Sequence, residues 1–219
     1  MISLTLVAIG AYLLGSVSFA VVVSRLLGLA DPRTFGSGNP GATNMLRGGA
    51  KLGAVLTLLG DAGKGWLAVA MAGALAAGAG VGAGASPTAG FGAPGPASRT
   101  LFLAVASVAV FVGHAYPVFF RFRGGKGVAT ALGILLALNP LLGLGTLAVW
   151  VATMAVTRIS SLAALAASIA APLLAIPLLH DGLLEFTLLG LAIVLVARHR
   201  SNIAKLLRGE EKAFRKPGP

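Results

Sequence analysis

Six stretches of the chain carry no charged residue: 1–24, 65–98, 100–120, 127–157, 159–180 and 186–197. A helix rises about 1.5 Å per residue and a bilayer core is about 30 Å thick, so a crossing needs roughly 20 residues. The pattern predicts a first helix over 4–24. No basic region precedes it, so it reads as retained rather than as a signal peptide, although Ser16-Val17-Ser18 faintly resembles a cleavage site. A second apolar stretch runs over 52–79, interrupted by Asp61-Ala62-Gly63-Lys64-Gly65, and a third over 101–120. The tract 127–157 breaks at Asn139-Pro140, because proline removes a donor and disfavours helix at the residue before it. Two last spans, about 160–179 and 183–197, flank His180-Asp181-Gly182. Residues 78–98 are rich in Gly, Ala, Pro and Ser and read as a flexible connection.

Orientation follows from the cations between the spans. Arg25, Arg33, Arg47 and Lys51 follow the first, Arg121, Arg123 and Lys126 the third, and seven Lys and Arg follow the last. In contrast, 80–100 holds only Arg99, and 180–185 holds His180, Asp181 and Glu185. If 127–157 crossed once, parity would place the cationic tail outside. The tract is therefore expected to cross twice as two short helices, which usually thin the bilayer or surround an inserted site. The prediction is an all-α polytopic membrane protein of about seven transmembrane helices, two of them short. Its N-terminus is outside, its C-terminus is cytoplasmic, and residues 1–219 form a single domain.

Composition agrees. The chain is 57% hydrophobic and only 11% charged, against about 25% charged in an ordinary soluble domain, which excludes a soluble enzyme and a disordered chain. A net charge of +11 would otherwise suggest nucleic acid, but the cations lie between apolar tracts and nucleic acid is not expected. The absence of cysteine excludes disulfides, thiolate metal sites and a Cys nucleophile. No three residues have metal-ligand spacing, so neither metal nor cofactor is expected.

Four polar clusters fall on the predicted cytoplasmic side. In Gly124-Gly125-Lys126-Gly127, consecutive glycines can form an anion nest, the next residues open an electropositive helix N-terminus, and the lysine adds a full charge. Phosphate binding by Lys126, Gly124, Gly125 and Gly127 competes here with a tight turn carrying an ordinary positive-inside lysine. The segment is not a Walker A loop, because Phe120 stands at the first glycine position and Gly127 follows the lysine. Gly36-Ser37-Gly38-Asn39-Pro40-Gly41 matches a dinucleotide fingerprint by accident, since no strand precedes it. It leaves a loop with Ser37, Asn39, Thr43 and Asn44 ending in Arg47, either a phosphate-recognising loop or one whose polar groups cap helix ends. Asp61 and Lys64 interrupt an apolar helix, either functionally or as a self-neutralising pair at a helix break.

The fourth cluster runs from His199 to Glu210. His199 stands between Arg198 and Arg200 with Asn202 close by; neighbouring cations favour a neutral imidazole able to orient or deprotonate a hydroxyl. His114 precedes Tyr116-Pro117 at a helix end and reads as structural. His180 reads as interfacial polarity on the outer face.

Three motifs in order resemble those of the bacterial acyl-phosphate:glycerol-3-phosphate acyltransferases, the PlsY family. They are Ser37-Gly38-Asn39-Pro40-Gly41-Ala42-Thr43-Asn44, then Gly113-His114-Ala115-Tyr116-Pro117 with Phe122-Arg123-Gly124-Gly125-Lys126-Gly127-Val128-Ala129-Thr130, then His199-Arg200-Ser201-Asn202-Ile203 with Leu206-Leu207-Arg208-Gly209-Glu210-Glu211. Asp61-Ala62-Gly63-Lys64-Gly65 and Thr157-Arg158-Ile159-Ser160-Ser161-Leu162 also fit, and 78–98 looks like an insertion. The resemblance implies transfer of a fatty acyl group from acyl phosphate to the 1-hydroxyl of sn-glycerol 3-phosphate, giving lysophosphatidic acid and phosphate, at the cytoplasmic face of a bacterial inner membrane among its lipids. It implies Ser37, His199 and Asn202 as catalytic residues, with Arg47, Lys64, Lys126, the three glycines, Asn39, Thr43, Asn44 and Ser161 holding substrate. An acyl phosphate is already activated, so direct attack without an acyl-enzyme is expected. A transporter for a phosphorylated anion is the alternative.

Overall fold

The computed structural model describes residues 4–78 and 96–214. The uncharged tracts fold as helices, and no strand occurs among the described residues. The connection expected within 78–98 falls almost wholly outside the described residues.

Among the described residues ten α-helices follow in order: α1 (Leu4–Ser16), α2 (Phe19–Leu26), α3 (Ala42–Arg47), α4 (Lys51–Gly78), α5 (Pro96–Ala115), α6 (Val128–Leu138), α7 (Pro140–Thr157), α8 (Ser160–Leu179), α9 (Gly182–Arg198) and α10 (Arg200–Leu207). By length and composition four can cross a membrane: Lys51–Ala77, Arg99–Phe120, Pro140–Thr157 and Ser160–Leu179. The number rises to six if the bent pairs α1–α2 (45°) and α9–α10 (60°) each count as one span, and α6 is a shorter apolar helix besides.

Two elements differ from expectation. The first tract is not one helix but bends between Ser16 and Phe19. Nor do Asp61 and Lys64 break the second, which is continuous for 28 residues. One fact explains both. The bend exposes the Val17 carbonyl, and the Lys64 ammonium donates to it at 2.7 Å while standing 2.8 Å from Asp61. The two charges, three residues apart on one helical face, neutralise each other inside the bundle without disturbing the helix.

The break at Asn139-Pro140 is as expected. Asn139 caps α7 by accepting from Leu141 and Leu142, and proline occupies the first helical turn. The Asn139 amide also donates to the Leu178 carbonyl, which ties this turn to the end of α8. Thr100 at the start of α5 donates to Asp181 at the start of α9. One end of the bundle therefore gathers residues 100, 139, 178 and 181, and the tract 127–157 is a hairpin of two helices turning there. The other end gathers the polar clusters.

Close backbone approach sets the centre. A Cβ on Gly65 would lie 2.3 Å from the Thr130 carbonyl oxygen, and one on Gly133 only 1.9 Å from that of Ala62, so α4 and α6 meet without side chains between them. Phe111, Val110, Val69, Ile134 and Leu142 pack fully buried around this contact.

Candidate active site

A cavity opens at the polar end and runs between α6, α7, α8 and α9. Ser37, Asn39, Thr43, Asn44, Arg47, Lys126, Gly127, Ser161, His199 and Asn202 all line it, although they come from four separate parts of the sequence. Deeper, the lining turns apolar: Leu132, Leu135, Leu147, Trp150, Ala167 and Leu191. One space thus joins a cationic mouth to a slot suited to a hydrocarbon chain.

The loop 36–41 is shaped from within. Asn44, fully buried, accepts from the Ser37 backbone N–H (2.9 Å) and hydroxyl (3.2 Å), and donates to the Pro32 and Phe35 carbonyls at 2.7 and 3.1 Å. Its two donors and its oxygen are all engaged, so Asn44 positions Ser37 and has no hydrogen bond left for a substrate. Thr43 and Ser160 share a hydroxyl bond of 3.1 Å, which joins this loop to α8.

The glycine turn corrects a second expectation. The Gly125 N–H donates to the His114 carbonyl, and the carbonyls of Gly124 and Gly125 accept from the Arg198 guanidinium at 2.9–3.2 Å. Neither Gly124 nor Gly125 lines the cavity, and the Gly125 N–H is already taken and not free for an anion. Its glycines are required because it lies flat on its neighbours: a Cβ at Gly124 would meet the His114 carbonyl at 2.1 Å, and one at Gly125 the His114 ring at 2.2 Å. Gly127 has φ +88°, a conformation glycine adopts without strain, and it delivers the chain into α6. Lys64 is the third correction: bound to Asp61 and Val17, it is buried in the bundle and does not line the cavity.

Free backbone donors also border the cavity. No side chain caps the N-termini of α6, α8 or α10, all of which border the cavity through Gly127–Ala129, Ser160–Ser161 and His199–Asn202. At the opposite end α7 and α9 are both capped, by Asn139 and Asp181. Uncapped helix starts present unpaired N–H groups and a partial positive charge, which is what an anionic oxygen requires.

Side chains complete the mouth. Lys126 donates to the Asn202 amide oxygen, and Asn202 donates to Glu211 at 2.8 Å, as does Ser161. Burial, ahead of the neighbouring charges, pulls the Lys126 ammonium down to about 8. Arg47 donates to the Lys212 carbonyl at 3.2 Å and lies over the Phe214 ring. His199 lies beyond the end of α9, where α10 turns away. Its Nδ1 donates to the Leu195 carbonyl at 2.8 Å, which leaves Nε2 as an acceptor. Burial lowers this imidazole to about 4, with the cations Lys126 and Arg198 acting in the same direction, so the ring is neutral at physiological pH. Glu211 and Arg198 were not singled out by sequence reasoning. Glu211 lies in the third motif, but only the fold shows that the chain returns to place it beside Ser161 and Asn202.

A family model described as glycerol-3-phosphate acyltransferase matches residues 5–209. The chain belongs to the glycerol-3-phosphate acyltransferase family. Relatives so named from Paraburkholderia phymatum and Cupriavidus taiwanensis are 52% and 53% identical over 206 residues, which is 94% of this chain and 90% and 94% of theirs. The fold is similar to the crystal structure of PlsY, an integral membrane glycerol 3-phosphate acyltransferase, in its glycerol 3-phosphate form. The TM-score is 0.82 at 35% identity, covering 97% of this chain and 96% of that one. The lysophosphatidic acid form of PlsY gives 0.80 at 34%, covering 97% and 95%. The chain is an integral membrane acyltransferase.

Proposed function

We propose that this enzyme transfers a fatty acyl group from acyl phosphate to the 1-hydroxyl of sn-glycerol 3-phosphate, releasing lysophosphatidic acid and phosphate. The observation that carries the reading is the continuity of the cavity, whose mouth offers Arg47, Lys126 and uncapped helix starts to phosphate and whose depth offers apolar side chains to an acyl chain. The choice of acyl phosphate as donor rests on the resemblance of the three motifs to the acyl-phosphate-dependent family.

In this mechanism the glycerol 1-hydroxyl oxygen attacks the acyl carbon, the bond from that carbon to the phosphate oxygen breaks, and the hydroxyl proton leaves with the phosphate. Lys126 and Arg47 hold the phosphates. His199 accepts the hydroxyl through Nε2 and orients it; an imidazole that ionises near 4 is a weak base, so a phosphate oxygen takes the proton. Ser37 and Asn202 position the reacting groups. The Ser37 hydroxyl donates to Asn44 and makes no hydrogen bond to a histidine among the described residues, which supports direct attack rather than an acyl-enzyme. The enzyme crosses a bacterial inner membrane seven times, with its N-terminus outside and this cavity open to the cytoplasm. A transporter is less well supported, because the lining cations stand at one end of the cavity only.

The test is lysophosphatidic acid formation by purified protein in lipid, with glycerol 3-phosphate and either donor. Product from acyl phosphate alone is expected, and product from acyl-CoA would overturn the donor. Intact-mass measurement with donor alone should show no added acyl group; an adduct would replace direct attack by a covalent intermediate.

A further inference from the structure

The apolar slot has an end. Going inwards from the mouth, the last side chains that line it are Leu135 on α6, Thr146 on α7, Ala171 on α8 and Leu188 on α9. Thr146, Ala171 and Leu188 each stand seven residues from the tied end of the bundle at Asn139, Leu178 and Asp181, so they lie at one level. Leu135, Thr146, Ala171 and Leu188 are only 4%, 6%, 8% and 3% exposed, so this level is shut off from lipid as well as from water. One helical turn further on, Leu142, Ala175 and Leu184 are buried in the hydrophobic core and line no part of the cavity. Nearer the mouth the walls are looser, and Leu132, Leu147, Trp150 and Ala192 are half-buried. Ser161 and Ala171 are ten residues apart along α8, which makes the slot roughly 15 Å deep. A bilayer core of about 30 Å is two chains thick, so one chain of a membrane lipid occupies about the same length.

We infer that these four residues form a floor that limits the length of the transferred acyl chain, with Ala171 the position that sets the limit. The inference rests on the reaction proposed above and deepens it. An acyl donor reaches this enzyme with its tail already in lipid, so moving the tail into an apolar slot gains little from the hydrophobic effect. Length is therefore selected by fit. A chain too short for the slot leaves wall atoms without partners and forfeits their dispersion contacts. A chain too long cannot push the floor back, because Leu142, Ala175 and Leu184 are close-packed behind it. It must fold back on itself or draw its acyl carbon away from His199 and Lys126, and a displacement of about 1 Å at a reacting centre can cost on the order of 10²-fold in rate. Ala171 is the smallest of the four, so a larger side chain there raises the floor. Leu188 faces the same space from α9, and a smaller side chain there lowers it.

The experiment gives the full-length protein, in lipid vesicles with glycerol 3-phosphate, an equimolar mixture of dodecanoyl, tetradecanoyl, hexadecanoyl and octadecanoyl phosphate. Mass spectrometry then compares the lysophosphatidic acids formed. Competition in one reaction yields the relative kcat/KM of the donors, which does not depend on how much of a preparation is folded. The wild type should favour one length over the others severalfold. Leucine carries three more carbons than alanine, so Ala171→Leu should shorten the best donor by about two or three methylenes and raise the ratio of dodecanoyl to hexadecanoyl product by about tenfold or more. Leu188→Ala should shift the products the other way, towards octadecanoyl, and a general loosening of the protein would not produce such opposite shifts. Should Ala171→Leu yield no folded protein, Ala171→Val carries the same comparison. A wild type indifferent to length, or variants that slow all donors alike and keep the product distribution, would overturn the floor while leaving the reaction standing. No ester from any of the four donors would sink the reaction and the floor with it.

Discussion

Lys126 enters the cavity from a loop, loses most of its water there, and ionises near pH 8. Its charge is therefore complete below that pH and is lost as pH rises through it. Because kcat/KM reports the free enzyme, it should fall about tenfold per unit above pH 8. Below about pH 6 the substrate phosphate takes up its own second proton. His199, at about 4, adds no limb between. Arginine keeps its charge at every accessible pH, so Lys126→Arg should remove the alkaline limb even if its plateau is lower; an unchanged limb would assign it to another group. In the same assays His199→Gln should retain more activity than Lys126→Ala, because an amide can still orient a hydroxyl whereas nothing replaces the ammonium. Equal and complete loss would make His199 an obligatory base. Lys126, His199 and Asn202 could be picked from sequence because residue type and motif advertise them. The engagement of Gly125 and Asn44 could not, since it depends on which carbonyl or amide lies opposite in space.

At the scale of the helices, the informative feature is where caps are missing. Ile159 has the extended backbone of an N-cap residue (φ −108°, ψ 101°) but a side chain that cannot accept a hydrogen bond, and α8 starts there at the cavity mouth. Asn139 has a similar role in α7 at the opposite end and does accept. Asn139→Ala should cost about 1 kcal/mol, lowering the melting temperature and leaving the KM for glycerol 3-phosphate unchanged. Ile159→Ser should do the reverse. Its hydroxyl would occupy the N–H groups of the first turn and raise the KM severalfold, while the gained cap and the lost half-buried side chain roughly cancel in stability. If Ile159→Ser leaves the KM unchanged, the start of α8 does not hold phosphate. The helices themselves were legible from charge-free tracts and from Asn139-Pro140. The continuity of α4 was not, because Asp61 and Lys64 look like an interruption until the Val17 carbonyl from another helix is seen to receive the lysine.

For the molecule as a whole, the two ends of the bundle make the membrane orientation testable. One end ties together residues 100, 139, 178 and 181, and the other holds the cavity mouth and α10. By the seven-span reading fifteen of the seventeen lysines and arginines belong on the mouth side, with Lys64 buried within a span and Arg99 alone beyond. The parity of that reading depends on the α6–α7 hairpin: were it one crossing, the tail would change sides. The chain contains no cysteine, so single substitutions can be labelled without background. Ser201, exposed on α10, and Gly182, exposed at the start of α9 with nothing within 4 Å of its Cβ position, mark the two ends. In intact cells a membrane-impermeant maleimide should label Gly182→Cys and not Ser201→Cys, and in inside-out vesicles the pattern should invert. Labelling of both from the same side would mean an even number of crossings in the span between them. Labelling of Ser201→Cys from outside would place the cavity mouth away from the cytoplasm and overturn the proposed orientation.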